Sequence, residues 1–288
     1  MYSIFVNIYL LTRKCKNMNK YKLFIFIVLI VVGLPLNAQS YRVMYEEEEI
    51  NLFDEEVIRD LFILEISKSG ISSFQSYYTL QADSIGRACR DAGMSLQERI
   101  AQMRTVPPGS RNILFYNPME MKYTELDYGY YYFKTVEDIK APDYAFEDST
   151  KLVVGYTSEM ATAHLYGRDW VIYYTTEIPL PYGPWKINGL PGLVTEAYSI
   201  DGAYKFTLTG FEVLDEDVNI EIPLKMLNQP VQEVSRNELM WIRKQIACKD
   251  PRPIIKKYSK NYDMSGMYHN KIDRMYRELS KRYQYIEQ

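Results

Sequence analysis

LVTEAYSIDGAYKFTLTGFEV, residues 193–213, reads as two strands joined by a two-residue turn. Asp201-Gly202 supplies the positive φ angles that a tight hairpin turn needs, and apolar residues recur on both sides of it. In the second strand Tyr204, Phe206 and Leu208 share one face, whereas Phe211 and Val213 have the opposite parity. One extra residue near Gly210 returns them to the same face, so a β-bulge is predicted there.

Upstream of the hairpin the same pattern repeats. Short apolar or aromatic runs at 112–116, 120–126, 130–133, 152–156, 161–166 and 169–175 are separated by turn residues such as Asn117-Pro118 and the segment 127–129. Strand follows strand without an intervening helix, which predicts an antiparallel meander. An early hairpin is predicted from 57–66 and 73–80. Before it, the alternating 41–45 runs into Glu46–Glu49, whose self-repulsion suits a loop or an exposed strand end.

Two regions break the pattern. Residues 83–104 are poor in β-branched residues, carry a Ser95-Leu96-Gln97-Glu98 capping box and stop at Pro107-Pro108-Gly109, so a helical excursion is predicted. From residue 236 the period becomes helical. Ser235 is placed to cap 237–247, Pro251 and Pro253 interrupt, and Ile272, Met275, Tyr276, Leu279, Tyr283 and Ile286 form a stripe. The predicted fold is mainly β, a β-rich α+β arrangement: a curved antiparallel sheet or half-barrel with a helical insertion and C-terminal helices.

The chain has 288 residues, 47% hydrophobic and 25% charged, the composition of a globular protein with a substantial core. Met18-Asn19-Lys20-Tyr21-Lys22 is basic and precedes the apolar run 23–32, then Gly33, Pro35 and Asn37-Ala38-Gln39. These are the three parts of a secretory signal, and the run is shorter than a spanning helix. Residues 1–38 are therefore read as an upstream extension plus a signal peptide cut near Ala38, with Met18 the natural start; a retained membrane anchor is the other account of this segment. Residues 39–235 form the β-rich domain. Residues 236–288 form a basic helical segment read as packed on the acidic body; such a tail could also meet lipid phosphates or nucleic acid, and export argues against nucleic acid.

Chemistry-bearing residues are sparse. The two histidines, His164 and His269, lack metal-ligand spacing, and no cofactor or metal site is read. Glu177, and Asp169 beside Arg168, are carboxylates that could pair, but no nucleophile motif or phosphate loop accompanies them. Cys89 and Cys248 allow at most one disulfide in the mature chain; sequence separation leaves its existence open.

The segment 168–194, RDWVIYYTTEIPLPYGPWKINGLPGLV, stands apart. Gly183-Pro184, Asn188-Gly189 and Pro191-Gly192 force consecutive bends that place Trp185, Leu190 and Leu193 on a rigid apolar corner. Two accounts fit: a shaped surface for an apolar ligand or partner protein, or a buried corner joining two regions of the sheet. The candidate binding residues are Arg168, Gly183, Pro184, Trp185, Gly189, Leu190, Pro191, Gly192 and Leu193.

With Tyr45, Ser73-Phe74-Gln75-Ser76, Asp148-Ser149-Thr150-Lys151, Gly155-Tyr156 and Ala161-Thr162, this segment resembles the GLPGLI family of Bacteroidetes. Gly167-Arg168, Tyr173-Tyr174, Thr176-Glu177-Ile178-Pro179, Gly183-Pro184-Trp185 and Gly189-Leu190-Pro191-Gly192-Leu193 carry the core of the likeness, with Val194 in place of the motif's last Ile. Ser158 stands where many members have Cys. The resemblance implies a signal-bearing Bacteroidetes protein; the family is one of uncharacterised function, so it carries over no catalytic residue. The expectation is an exported, periplasmic or outer-membrane-associated, non-catalytic protein that binds an apolar small molecule or an envelope protein, with no transmembrane span in the mature chain. A structural subunit docking on an outer-membrane protein and a hydrolase with a carboxylate site are the alternatives.

Overall fold

The computed structural model describes residues 39–222, 230–259 and 269–287. The predicted signal segment 1–38 lies outside them.

Twelve strands form one open sheet. In chain order they are β1 (Ser40–Ile50), β2 (Val57–Ile66), β3 (Ser72–Ser76), β4 (Ile113–Asn117), β5 (Lys122–Gly129), β6 (Tyr131–Asp138), β7 (Ala145–Val153), β8 (Tyr156–Leu165), β9 (Arg168–Thr175), β10 (Leu193–Ser199), β11 (Tyr204–Leu214) and β12 (Val231–Glu233). Across the sheet the order is β12-β6-β5-β4-β3-β2-β1-β11-β10-β9-β8-β7. Every pairing is antiparallel except β12 against β6, so the sheet is mixed rather than wholly antiparallel.

One face of the sheet is concave. Phe74 on β3 and Phe206 on β11 have ring centroids 6.2 Å apart although β2 and β1 lie between them. A flat sheet with strands about 4.8 Å apart would separate them by roughly 14 Å. Val43, Tyr45, Phe62, Leu64, Ile172 and Leu208 join them in one core. The bulge expected near Gly210 is present: Met44 faces Gly210 and Tyr45 faces Leu208, leaving Thr209 unopposed.

Several boundaries differ from the sequence reading for local reasons. Ser76 ends β3 by capping α1 (Tyr77–Asp91), its hydroxyl accepting from the Thr79 amide, so residues 77–80 are helix and not strand. The capping box at Ser95 and Glu98 opens α2 (Leu96–Met103) as expected. Glu46–Glu49 stays inside β1, because β2 and β11 hold its backbone on both sides. Val154 and Gly155, both at positive φ, turn the chain in the middle of the strand expected at 152–156, which instead becomes the end of β7 and the start of β8.

Among the described residues the C-terminal part has three helices where two were expected: α3 (Arg236–Ala247), α4 (Arg252–Tyr258) and α5 (His269–Lys281). Leu239 and Ile242 of α3 pack with Ile254 of α4 against Phe133 of β6. Tyr283 and Ile286, placed on the helical stripe by sequence, lie beyond α5 in a tail that enters the core. Cys89 and Cys248 are buried free thiols. No helix among the described residues is long and apolar enough to cross a membrane.

Candidate functional site

The motif segment leaves β9 at Thr175 and rejoins the sheet at Leu193, and between these points it folds onto the concave face. Ile178, Tyr182, Trp185, Ile187 and Leu190 are part of the main core. Trp185 is 9% exposed and Leu190 1%, so the corner is buried and its apolar side chains already have protein partners. Trp185 lies 5.1 Å from the Tyr166 ring and 5.8 Å from Trp170. Gly189 and Pro191 are the exposed members of the set. Of the two accounts of this corner, the buried one describes its surroundings.

A loop in the interior must find partners for its peptide groups. This one closes partly on itself: the amide of Leu193 donates to Ile178 O (3.0 Å), that of Val194 to Tyr182 O (3.0 Å) and that of Gly189 to Pro181 O (3.0 Å). Three phenols from around it bind further carbonyls. Tyr45 donates to Val194 O (2.7 Å), Tyr144 to Asn188 O (2.8 Å) and Tyr123 to Lys186 O (3.3 Å). The glycines act differently from one another. Gly189 has φ +94°, as a tight bend requires, but Gly183 and Gly192 are needed for close approach. A Cβ on Gly192 would stand 2.0 Å from Thr175 O, and one on Gly183 2.5 Å from Ile187 O. Trp185, not a glycine, takes the remaining left-handed conformation at φ +52°.

Two buried cations on this segment organise its polar surroundings. The ammonium of Lys186 contacts Glu125 Oε1 (2.6 Å) on β5, Glu287 Oε1 (2.6 Å) in the C-terminal tail, and Glu137 on β6. Arg243 of α3 bridges Glu125 and Asp127, each at 2.7 Å, and Arg236 binds Glu287. Arg168 donates to Ile286 O (3.0 Å) and Tyr285 O (2.8 Å), pairs with Asp201 and lies 5.0 Å above the Tyr204 ring. Arg168 and Lys186 thus both hold the tail segment 285–287 in the interior.

Burial disfavours the Lys186 ammonium, but Glu125, Glu287 and Glu137 outweigh that cost and raise its pKa above the ordinary lysine value. Burial likewise opposes the charge on Glu125, and Arg243 with Lys186 brings its pKa below the usual value. A lysine held as ammonium is in the wrong protonation state for a nucleophile. Oxygens of Glu125, Glu137 and Glu287 lie within 4.8 Å of one another, a set that could ligate a metal ion. In this chain the Lys186 ammonium stands among them and balances their charge.

The acids singled out by sequence do not meet. Glu177 accepts from the Thr157 amide (2.9 Å), and Asp169 pairs with His164 (2.7 Å) on an exposed part of β8 and β9. Three other carboxyls, Glu47, Glu49 and Asp60, have pKa values pushed up mainly by burial. Lys186 and its partners were missed by sequence reasoning. The available signal was a lysine between Trp185 and Ile187 in a segment otherwise read as apolar.

No protein-family model matches the chain, and no curated protein matches it. Among solved structures it is similar to PNGF-II in its C2 crystal form, with a TM-score of 0.47 and 11% identity over 73% of this chain and 33% of that one. The P21 form gives 0.45 and 11% over 71% and 33%. The chain spans about a third of the length of these structures, and a likeness of this size carries no statement about its chemistry.

Proposed function

We propose that this is an exported cell-envelope protein of the GLPGLI type that binds another protein and performs no chemistry itself. The motif segment serves as the interior keystone of the fold, and recognition takes place on the open side of the sheet. The observation that carries this reading is β7. It is a nine-residue edge strand, exposed along nearly its whole length, with Phe146 61% and Leu152 73% exposed. An unpaired strand edge offers backbone donors and acceptors to an added strand, with side-chain positions on either face for selectivity. The opposite edge, β12, has three residues and is correspondingly blunt. An apolar small molecule is the weaker reading, because the apolar corner that would have received it is packed with Tyr166, Trp170 and the core.

The test is site-specific photo-cross-linking in the native host, with the reactive group at Phe146 or Leu152 and a control at Leu96 on α2. Protein adducts at the β7 positions and none at the control are expected. Native mass spectrometry of the purified protein showing a near-stoichiometric lipid, with no β7 adducts, would overturn the reading in favour of a carrier.

A further inference from the structure

The edge strand β7 is chemically symmetric about its own centre. Its sequence AFEDSTKLV, Ala145–Val153, places Phe146 and Leu152 equally far from Ser149, and Glu147 and Lys151 likewise. The register with β8 fixes their faces. Phe146 lies opposite Ala161 and Leu152 opposite Thr157, positions of one parity on β8, while Glu147 opposite Met160 and Lys151 opposite Ser158 take the other. The bulge at Asp148 and Ser149 inserts two residues and so preserves this parity.

We propose that β7 pairs antiparallel with β7 of a second copy about a two-fold axis at Ser149, joining two open sheets into one. This rests on the reading of β7 as the working edge and names its occupant. In that register Phe146 of each chain meets Leu152 of the other on one face, and Glu147 meets Lys151 on the opposite face, each pair occurring twice by symmetry. Slipping by one residue sets Glu147 against Leu152 in one direction and Phe146 against Lys151 in the other, so both complementarities are lost together. Lys151 contacts Glu196 of β10 at 2.6 Å and lies 3.9 Å from the centroid of the Tyr173 ring, so the pairing requires its ammonium to turn outward to Glu147 of the second copy. Glu147 is exposed and has no ion-pair partner among the described residues.

Sedimentation velocity on the purified protein tests the proposal. A dimer is expected for the natural sequence. Glu147→Lys, which opposes two lysines twice, is expected to weaken association about tenfold or more while leaving the circular dichroism spectrum unchanged. The register is read separately by mixing Phe146→Cys with Leu152→Cys: a disulfide-linked dimer forms in the mixture and in neither variant alone. The buried native thiols Cys89 and Cys248 stay out of the reaction. A monomeric natural protein overturns the proposal, as does a dimer that survives Glu147→Lys or a covalent dimer formed by one variant alone. A monomer whose β7 still cross-links to a different protein in the host sinks self-pairing and leaves the edge-binding reading standing.

Discussion

Lys186 has a side chain with no exposed surface and three carboxylates around its ammonium. Truncating it leaves buried negative charge uncompensated, so Lys186→Met is expected to lower stability by about 3–5 kcal/mol, read from the urea unfolding midpoint. The pH dependence follows from Glu125. Its folded pKa is below the ordinary value, so the cluster's contribution is fully present above that value and is lost as pH falls through the lowered one. Natural protein should lose melting temperature in acid more steeply than Lys186→Met. Glu47 has the opposite sign: burial first, then Glu49 and Asp60, raise its pKa, so it favours folding in acid and opposes it as pH rises. Glu47→Gln is therefore expected to stabilise the protein at neutral pH, with the gain vanishing below the ordinary glutamate range. At this scale the bends at Asn188-Gly189 and the bulge beside Gly210 were legible, because turn chemistry is local. Lys186 was not, since its partners come from residues 125, 137 and 287.

At the level of elements, local signals again did best. The capping box at Ser95 and Glu98 marked α2 because both partners lie within four residues. Ser95→Ala should cost about 1 kcal/mol of local stability, seen as faster amide exchange in α2 with little change in the sheet. The errors have tertiary causes. Glu46–Glu49, which by charge suits a loop or an exposed strand end, is the last part of β1, held as strand by pairing to β2 and β11, with Arg59 meeting Glu48 at 2.9 Å. The tail residues Tyr283 and Ile286 fit a helical stripe, but Arg168 draws the carbonyls of Tyr285 and Ile286 into the core beyond the end of α5. No periodicity encodes that contact across more than a hundred residues.

For the molecule as a whole, the sheet is a concave frame and the motif segment is what fills it. Phenols of β1, β5 and the approach to β7 bind the segment's carbonyls, two glycines let it pass within contact of neighbouring backbone, and its cations fasten the tail. The β-rich class and the importance of 168–194 were readable from sequence; whether that segment faced solvent or core was not, because Trp, Leu and Pro suit both. The most direct measurement of this account is hydrogen–deuterium exchange on the native protein, following the amides of residues 182–194. They are expected to exchange as slowly as those of β1 and β11, opening only with global unfolding. Fast exchange there, with β1 and β11 still protected, would show a mobile surface loop and contradict the claim that the motif is the keystone of the fold.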